Sequence, residues 1–81
     1  MVSFNPNSVV GIDVYGDVAT ADRCGASGTF QVISVTLIMD DNSELDVTEN
    51  VDQGEHYFSA DDVAKDLGLN PNIINVNIDF E

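Results

Sequence analysis

Residues 30–39 read Phe-Gln-Val-Ile-Ser-Val-Thr-Leu-Ile-Met and form the most apolar run in the chain. The run is rich in Val, Ile and Phe, which favour strands, and it is too short to cross a bilayer as a helix. One face carries Ile33, Val35, Leu37 and Met39 at the two-residue period of a strand, and the other face is half apolar. Strands that are apolar on both faces usually lie inside a sheet, so we expect a central strand here. The β-branched content argues against the alternative, a buried helix.

The flanking segments predict four further strands. The first is expected over residues 9–15, with Val10, Ile12 and Val14 on one face, and its return strand over residues 18–23. Gly16 and Asp17 between them suit a two-residue hairpin loop. A fourth strand is expected over residues 44–51, and a last strand over residues 74–80. The last strand alternates cleanly, which places its apolar residues inward, namely Ile74, Val76, Ile78 and Phe80.

One helix is predicted after residue 59. Ser59 is a good N-cap, negative residues follow it in the first turn, and Gly68 fits the position just past the helix end. Together these elements predict an α+β fold, in which one helix lies across an antiparallel sheet of four or five strands. The length of 81 residues predicts a single domain over residues 1–81.

The charge is large and of one sign. Fifteen acids face only Arg23 and Lys65, giving a net charge of −13, and residues 40–81 hold 12 of the acids. This balance argues against binding DNA, RNA or anionic lipid, because those ligands require Lys and Arg. Cys24 is the single cysteine, so no internal disulfide is expected. The first residues lack a signal-peptide pattern, and we expect a cytoplasmic protein.

The most prominent candidate site is the acidic stretch of residues 40–55, which contains seven acids and no base. Glu44, Asp46 and Asp52 are expected on one face of the predicted strand, where residues two apart are separated by about 6.5–7 Å. That spacing is similar to the separation of successive phosphates along a nucleic-acid strand. The expected partner-binding residues are Asp40, Asp41, Glu44, Asp46, Glu49, Asp52 and Glu55, with Asp61, Asp62 and Asp66 on the helix as second candidates.

Three other kinds of site have weaker support. The spacing Asp40-x-Asn42-x-Glu44 resembles the opening of a calcium-binding EF-hand loop, but the later positions do not match. Residues 59–69 resemble the first helix and turn of helix-turn-helix domains, but the following residues alternate like a strand. His56 and Cys24 lie about thirty residues apart, with nothing to pair them for catalysis. We therefore expect no enzyme activity, no metal and no cofactor.

The sequence thus predicts an interaction protein. We expect it to inhibit or occupy a basic surface of a larger partner that binds nucleic acid, as a mimic of DNA. By length and charge the chain resembles the acidic proteins that phages make to block restriction, CRISPR or other DNA-binding machinery, which would place it in the host cytoplasm. The alternative is a structural subunit of a virion or homodimer that assembles by pairing sheet edges. Its acidity would then serve solubility or adaptation to salt.

Overall fold

The computed structural model describes residues 1–17 and 28–81, which form a small α+β unit of a five-stranded sheet and one α-helix. The predicted return strand over residues 18–23, together with Cys24, lies outside the described residues. The elements in chain order are a 3-10 turn Pro6–Ser8, β1 Val9–Gly16, β2 Phe30–Met39, β3 Glu44–Asp46, a 3-10 turn Thr48–Asn50, β4 His56–Tyr57, α1 Ala60–Asp66 and β5 Asn75–Phe80.

The predicted central strand is confirmed, because β2 pairs with β1, β3 and β4. The strand order is β3-β2-β1-β5, and all pairings of β2 are antiparallel. The pairing of β1 with β5 is parallel, so the sheet is mixed and the prediction of a purely antiparallel sheet is wrong. The reason is the route of the chain: α1 carries it from β4 across the sheet, and β5 then runs in the direction of β1.

A bulge in β2 changes which of its residues face the core. Tyr15 pairs with Ser34 but Gly16 pairs with Val32, so Ile33 is an extra residue on β2. The core side is therefore occupied by the even-numbered residue Val32 before the bulge and by the odd-numbered residues Val35 and Leu37 after it. The prediction that Ile33 shares a face with Val35 and Leu37 is wrong, since Ile33 is the half-buried bulge residue, whereas Val35 and Leu37 lie together in the core.

A second irregularity affects β1. Val9 pairs with Met39 and Gly11 with Ile38, which leaves Val10 as the extra residue. Val10 is 41% exposed, so the prediction that it shares a face with the buried Ile12 and Val14 is wrong.

The helix is confirmed with both of its ends. The Ser59 Oγ accepts a hydrogen bond from the Asp62 amide, and Gly68 follows the helix with a φ of +79°. The helix buries Ala60, Val63 and Ala64 against one face of the sheet, in one apolar cluster with the inward residues of β1 and β2. The opposite face of the sheet carries no helix in the described part of the chain.

The predicted strand over residues 44–51 is too long. β3 ends at Asp46, because the Asp46 carboxylate accepts hydrogen bonds from the amide and the hydroxyl of Thr48, and this turns the chain into a 3-10 helix. β5 follows its prediction closely in extent, but its inward residues are only partly covered. Val76 is half-buried, while Ile78 and Phe80 are 37% and 45% exposed.

Candidate acidic interface

The site is the sheet face turned away from the helix, here called the outer face. Residues paired across neighbouring strands point to the same side, so the register identifies its members. Asp46, Thr36, Asp13 and Asn77 lie in one row across the four strands. The adjacent rows contain Glu44, Ile38, Gly11 and Asn75 on one side and Ser34, Tyr15 and Asp79 on the other.

The outer face carries four carboxylates on three strands. Glu44 and Asp46 stand two residues apart on β3, about 6.5–7 Å from one another. The Cα atoms of Asp13 and Asp46 lie in the same row, two strands apart, at a separation of about 10 Å. The Cα atoms of Asp79 and Asp13 lie on neighbouring strands, two residues apart in register, at a separation of about 8 Å. All four residues are exposed. Among the described residues no Lys or Arg lies in these rows, so every charged side chain placed there is negative.

An apolar and aromatic centre separates these carboxylates. The Ile38 side chain lies over Gly11, where a built Cβ would stand 3.4 Å from the Ile38 Cβ. Tyr15 is 38% exposed and stands between Ser34 on β2 and Asp79 on β5. The outer face therefore combines separated negative charges with a ring and an aliphatic patch.

The predicted ladder of Glu44, Asp46 and Asp52 on one strand face is wrong for its last member. Glu44 and Asp46 share the outer face, but Asp52 follows the 3-10 turn and accepts a hydrogen bond from the Gly54 amide. The segment of residues 44–57 still follows one edge of β2, from the Ile38–Glu44 pair to the Phe30–Tyr57 pair. The acids of this segment therefore line an edge of the sheet rather than one strand.

Several predicted site residues form turns. Asp41 accepts hydrogen bonds from the amide and hydroxyl of Ser43, and the side-chain bond is the main reason that the pKa of Asp41 is lowered. The hydroxyl of Thr48 likewise lowers the pKa of Asp46. Glu49 lies 3.6 Å from the N-terminal ammonium group. Short polar side chains bond nearby backbone groups in this way whether or not a partner exists.

The helix acids lie apart from the outer face, on the other side of the core. Asp61 and Asp62 occupy the first turn, where negative charge stabilises the helix dipole. Asp66 accepts a 2.6 Å hydrogen bond from the buried Tyr57 hydroxyl, and burial together with this bond raises the Tyr57 pKa. A groove lined by Glu55, Asp62, Lys65 and Asp66 adjoins Tyr57, so this region includes a base.

The remaining predicted residues are placed as follows. Asp40 and Glu55 are exposed, at the end of β2 and directly before β4. The loop of residues 40–43 and its neighbours hold no group of three or more metal-binding side chains, nor does any other part of residues 1–17 and 28–81. α1 is followed by β5 and not by a second helix, so the helix-turn-helix resemblance does not extend to the fold. In the same described ranges no helix is long and apolar enough to cross a membrane.

Comparison with known proteins gives no match: no protein-family model, curated protein or solved structure is significantly similar to this chain.

Sequence reasoning missed Asp13 and Asp79 as members of one site. Each alternates with apolar residues in its own strand, so its outward direction was readable from the sequence. Their proximity was not, because it depends on the parallel pairing of β1 with β5, two strands separated by about sixty residues of chain.

Proposed function

We propose that this chain is an acidic protein-binding module that occupies a basic, nucleic-acid-binding surface of a larger partner. The observation that carries the proposal is the outer face, with four exposed carboxylates on three strands and no Lys or Arg among its described residues. Such a face attracts a surface built to bind phosphates, and release of counterions would help to drive association, as it does for DNA. The class of protein this suggests is the DNA-mimic inhibitor of a nuclease or another DNA-binding enzyme.

The arrangement favours competition with nucleic acid over general solubility. Soluble proteins ordinarily intersperse both signs of charge over their surfaces. Here neighbouring acids of the outer face have Cα atoms about 7 to 10 Å apart across four paired strands. Strand pairing sets those backbone positions before binding, which reduces the entropy lost on association.

The experiment compares two variants that each lose three charges. The face variant carries Asp13→Asn, Glu44→Gln and Asp79→Asn, and leaves Asp46 to hold the turn. The control variant carries Glu55→Gln, Asp61→Asn and Asp62→Asn, which lie before β4 and in the first turn of α1, on the helix side of the sheet.

Each chain is used as bait for partners from its native cell, with low-salt and high-salt washes. We expect the wild-type and control chains to retain a partner that the face variant does not retain. Raised salt or added DNA should release this partner from the wild-type chain. Equal retention by the face variant, or a partner that DNA does not displace, would contradict the proposal. Circular dichroism of all three chains confirms that they are folded.

A second candidate function is assembly through the edge of β5. In the described part of the chain β5 pairs only with β1, and its Ile78 and Phe80 remain partly exposed. Exposed edges pair readily with other strands. The Glu81 amide donates to the Gly16 carbonyl, so by alternation the Ile78 amide points away from β1. Ile78→Pro would therefore block edge pairing and spare the β1–β5 bonds, and light scattering would show a lowered mass if the wild type is an oligomer.

A further inference from the structure

The outer face contains a place that suits one side chain in particular. Tyr15 on β1 stands directly across from Asp79 on β5, and Asp13 precedes it by two residues on the same strand. The register separates the Tyr15 Cα from that of Asp79 by about 4.8 Å and from that of Asp13 by about 6.5–7 Å. One ring is therefore flanked by two exposed carboxylates on the same face.

The Tyr15 ring is available to a partner. It is 38% exposed, and no ring contact or hydrogen bond from residues 1–17 or 28–81 engages its side chain. Phe30 and Tyr57 in contrast pack against one another in the core, with ring centroids 6.4 Å apart. An exposed ring between two carboxylates favours a planar cation, which can stack on the ring and donate hydrogen bonds to a carboxylate at its edge.

We propose that the outer face docks an arginine-rich segment of the partner, with one guanidinium stacked on Tyr15 and bonded to Asp13 or Asp79. This deepens the proposed function and rests on it, because it names the side chain through which a cationic partner would be recognised. Lysine fits less well, since its ammonium group is a compact, strongly hydrated point charge without a planar fork. A divalent cation fits poorly because the described residues contain no group of three or more side chains that could hold a metal ion.

The test uses octa-arginine and octa-lysine, two peptides of equal charge, with the wild-type chain and with Tyr15→Leu and Tyr15→Phe. We expect Tyr15→Leu to weaken octa-arginine binding about two- to five-fold, the effect of one exposed cation–ring contact, and to leave octa-lysine binding unchanged. Tyr15→Phe keeps the ring and should retain most of the octa-arginine affinity. Equal losses for the two peptides, or no loss for either, would overturn the inference.

A second measurement does not depend on a variant at Tyr15. In nuclear magnetic resonance titrations of the wild-type chain, the Tyr15 ring protons should shift with octa-arginine and stay unchanged with octa-lysine. If both peptides shift the amides of the outer face equally and the ring responds to neither, the arginine assignment fails and the proposed function stands. If neither peptide perturbs the outer face, both proposals fail together.

Discussion

The junction between β3 and the following 3-10 turn depends on one hydroxyl, and Thr48→Val tests it. The Thr48 Oγ1 accepts a 3.0 Å hydrogen bond from the amide of Val35, a residue with no exposed surface, and donates a 2.6 Å bond to Asp46. Valine has nearly the same shape but no hydroxyl, so the Val35 amide loses its partner close to the β2 bulge. An unsatisfied buried donor costs about 1–3 kcal/mol.

The cost is measured as the free energy of unfolding in urea, followed by circular dichroism. For a domain of this size, each 1 kcal/mol corresponds to about 4–8 °C in the melting temperature. Thr36→Val is the matched control, since Thr36 is a half-buried strand residue on the outer face, and we expect a change below about 0.5 kcal/mol there. If Thr48→Val is no more destabilising than Thr36→Val, the account of this junction is wrong.

Three further changes test other parts of the structure. Gly16→Ala would place a Cβ 2.9 Å from the ring of Phe80, so we expect a loss of about 1–3 kcal/mol in urea unfolding, and an unchanged stability would contradict the close packing. Ser59→Ala removes the helix N-cap and should lower the free energy of unfolding by about 1 kcal/mol in the same assay. An unchanged free energy of unfolding would show that the cap is not formed. The lowered pKa of Asp46 means that its ionised form stabilises the fold above the unfolded pKa of 3.8, and that this contribution disappears as the pH falls through the folded pKa. Asp46→Asn should therefore be destabilising at pH 6, and its difference from the wild type should shrink as the pH falls below 3.8 and through the folded pKa, whereas a difference that is independent of pH would refute the linkage.

The sequence was most informative where local chemistry decides the structure. The strand over residues 30–39 and the helix between Ser59 and Gly68 follow from composition, capping and backbone preference, and both are found with the expected limits. The sequence was least informative about register. The bulge at Ile33 exchanges the two faces of β2 partway along, and nothing in a period-two pattern marks the place where it occurs.

The predicted ladder of Glu44, Asp46 and Asp52 on one strand is wrong for a related reason. Seven acids within residues 40–55 drew attention to one segment, but Asp41, Asp46 and Asp52 each accept hydrogen bonds from nearby residues and so shape turns. Short acidic side chains in turns are expected on those grounds alone. The acids that gather across the outer face come from three distant segments, and only the strand order brings them together.

Whether the acids serve recognition or solubility can be judged from which of them already have a structural role in the fold. On the helix side, Asp61 and Asp62 stabilise the helix dipole, Asp66 accepts the Tyr57 hydroxyl, and Lys65 is nearby. On the outer face, the carboxylates of Asp13, Glu44 and Asp79 make no hydrogen bond or ion pair with the described residues, and these residues are bonded only through the backbone of the sheet.

These three outer-face acids lie on three strands of one sheet and repel one another across it, which lowers the stability of the folded chain. Neutralising them should therefore leave the fold as stable or more stable. If the outer face is an interface, neutralising these acids should weaken partner binding without destabilising the fold. If the acids serve solubility, the same change should reduce solubility alone.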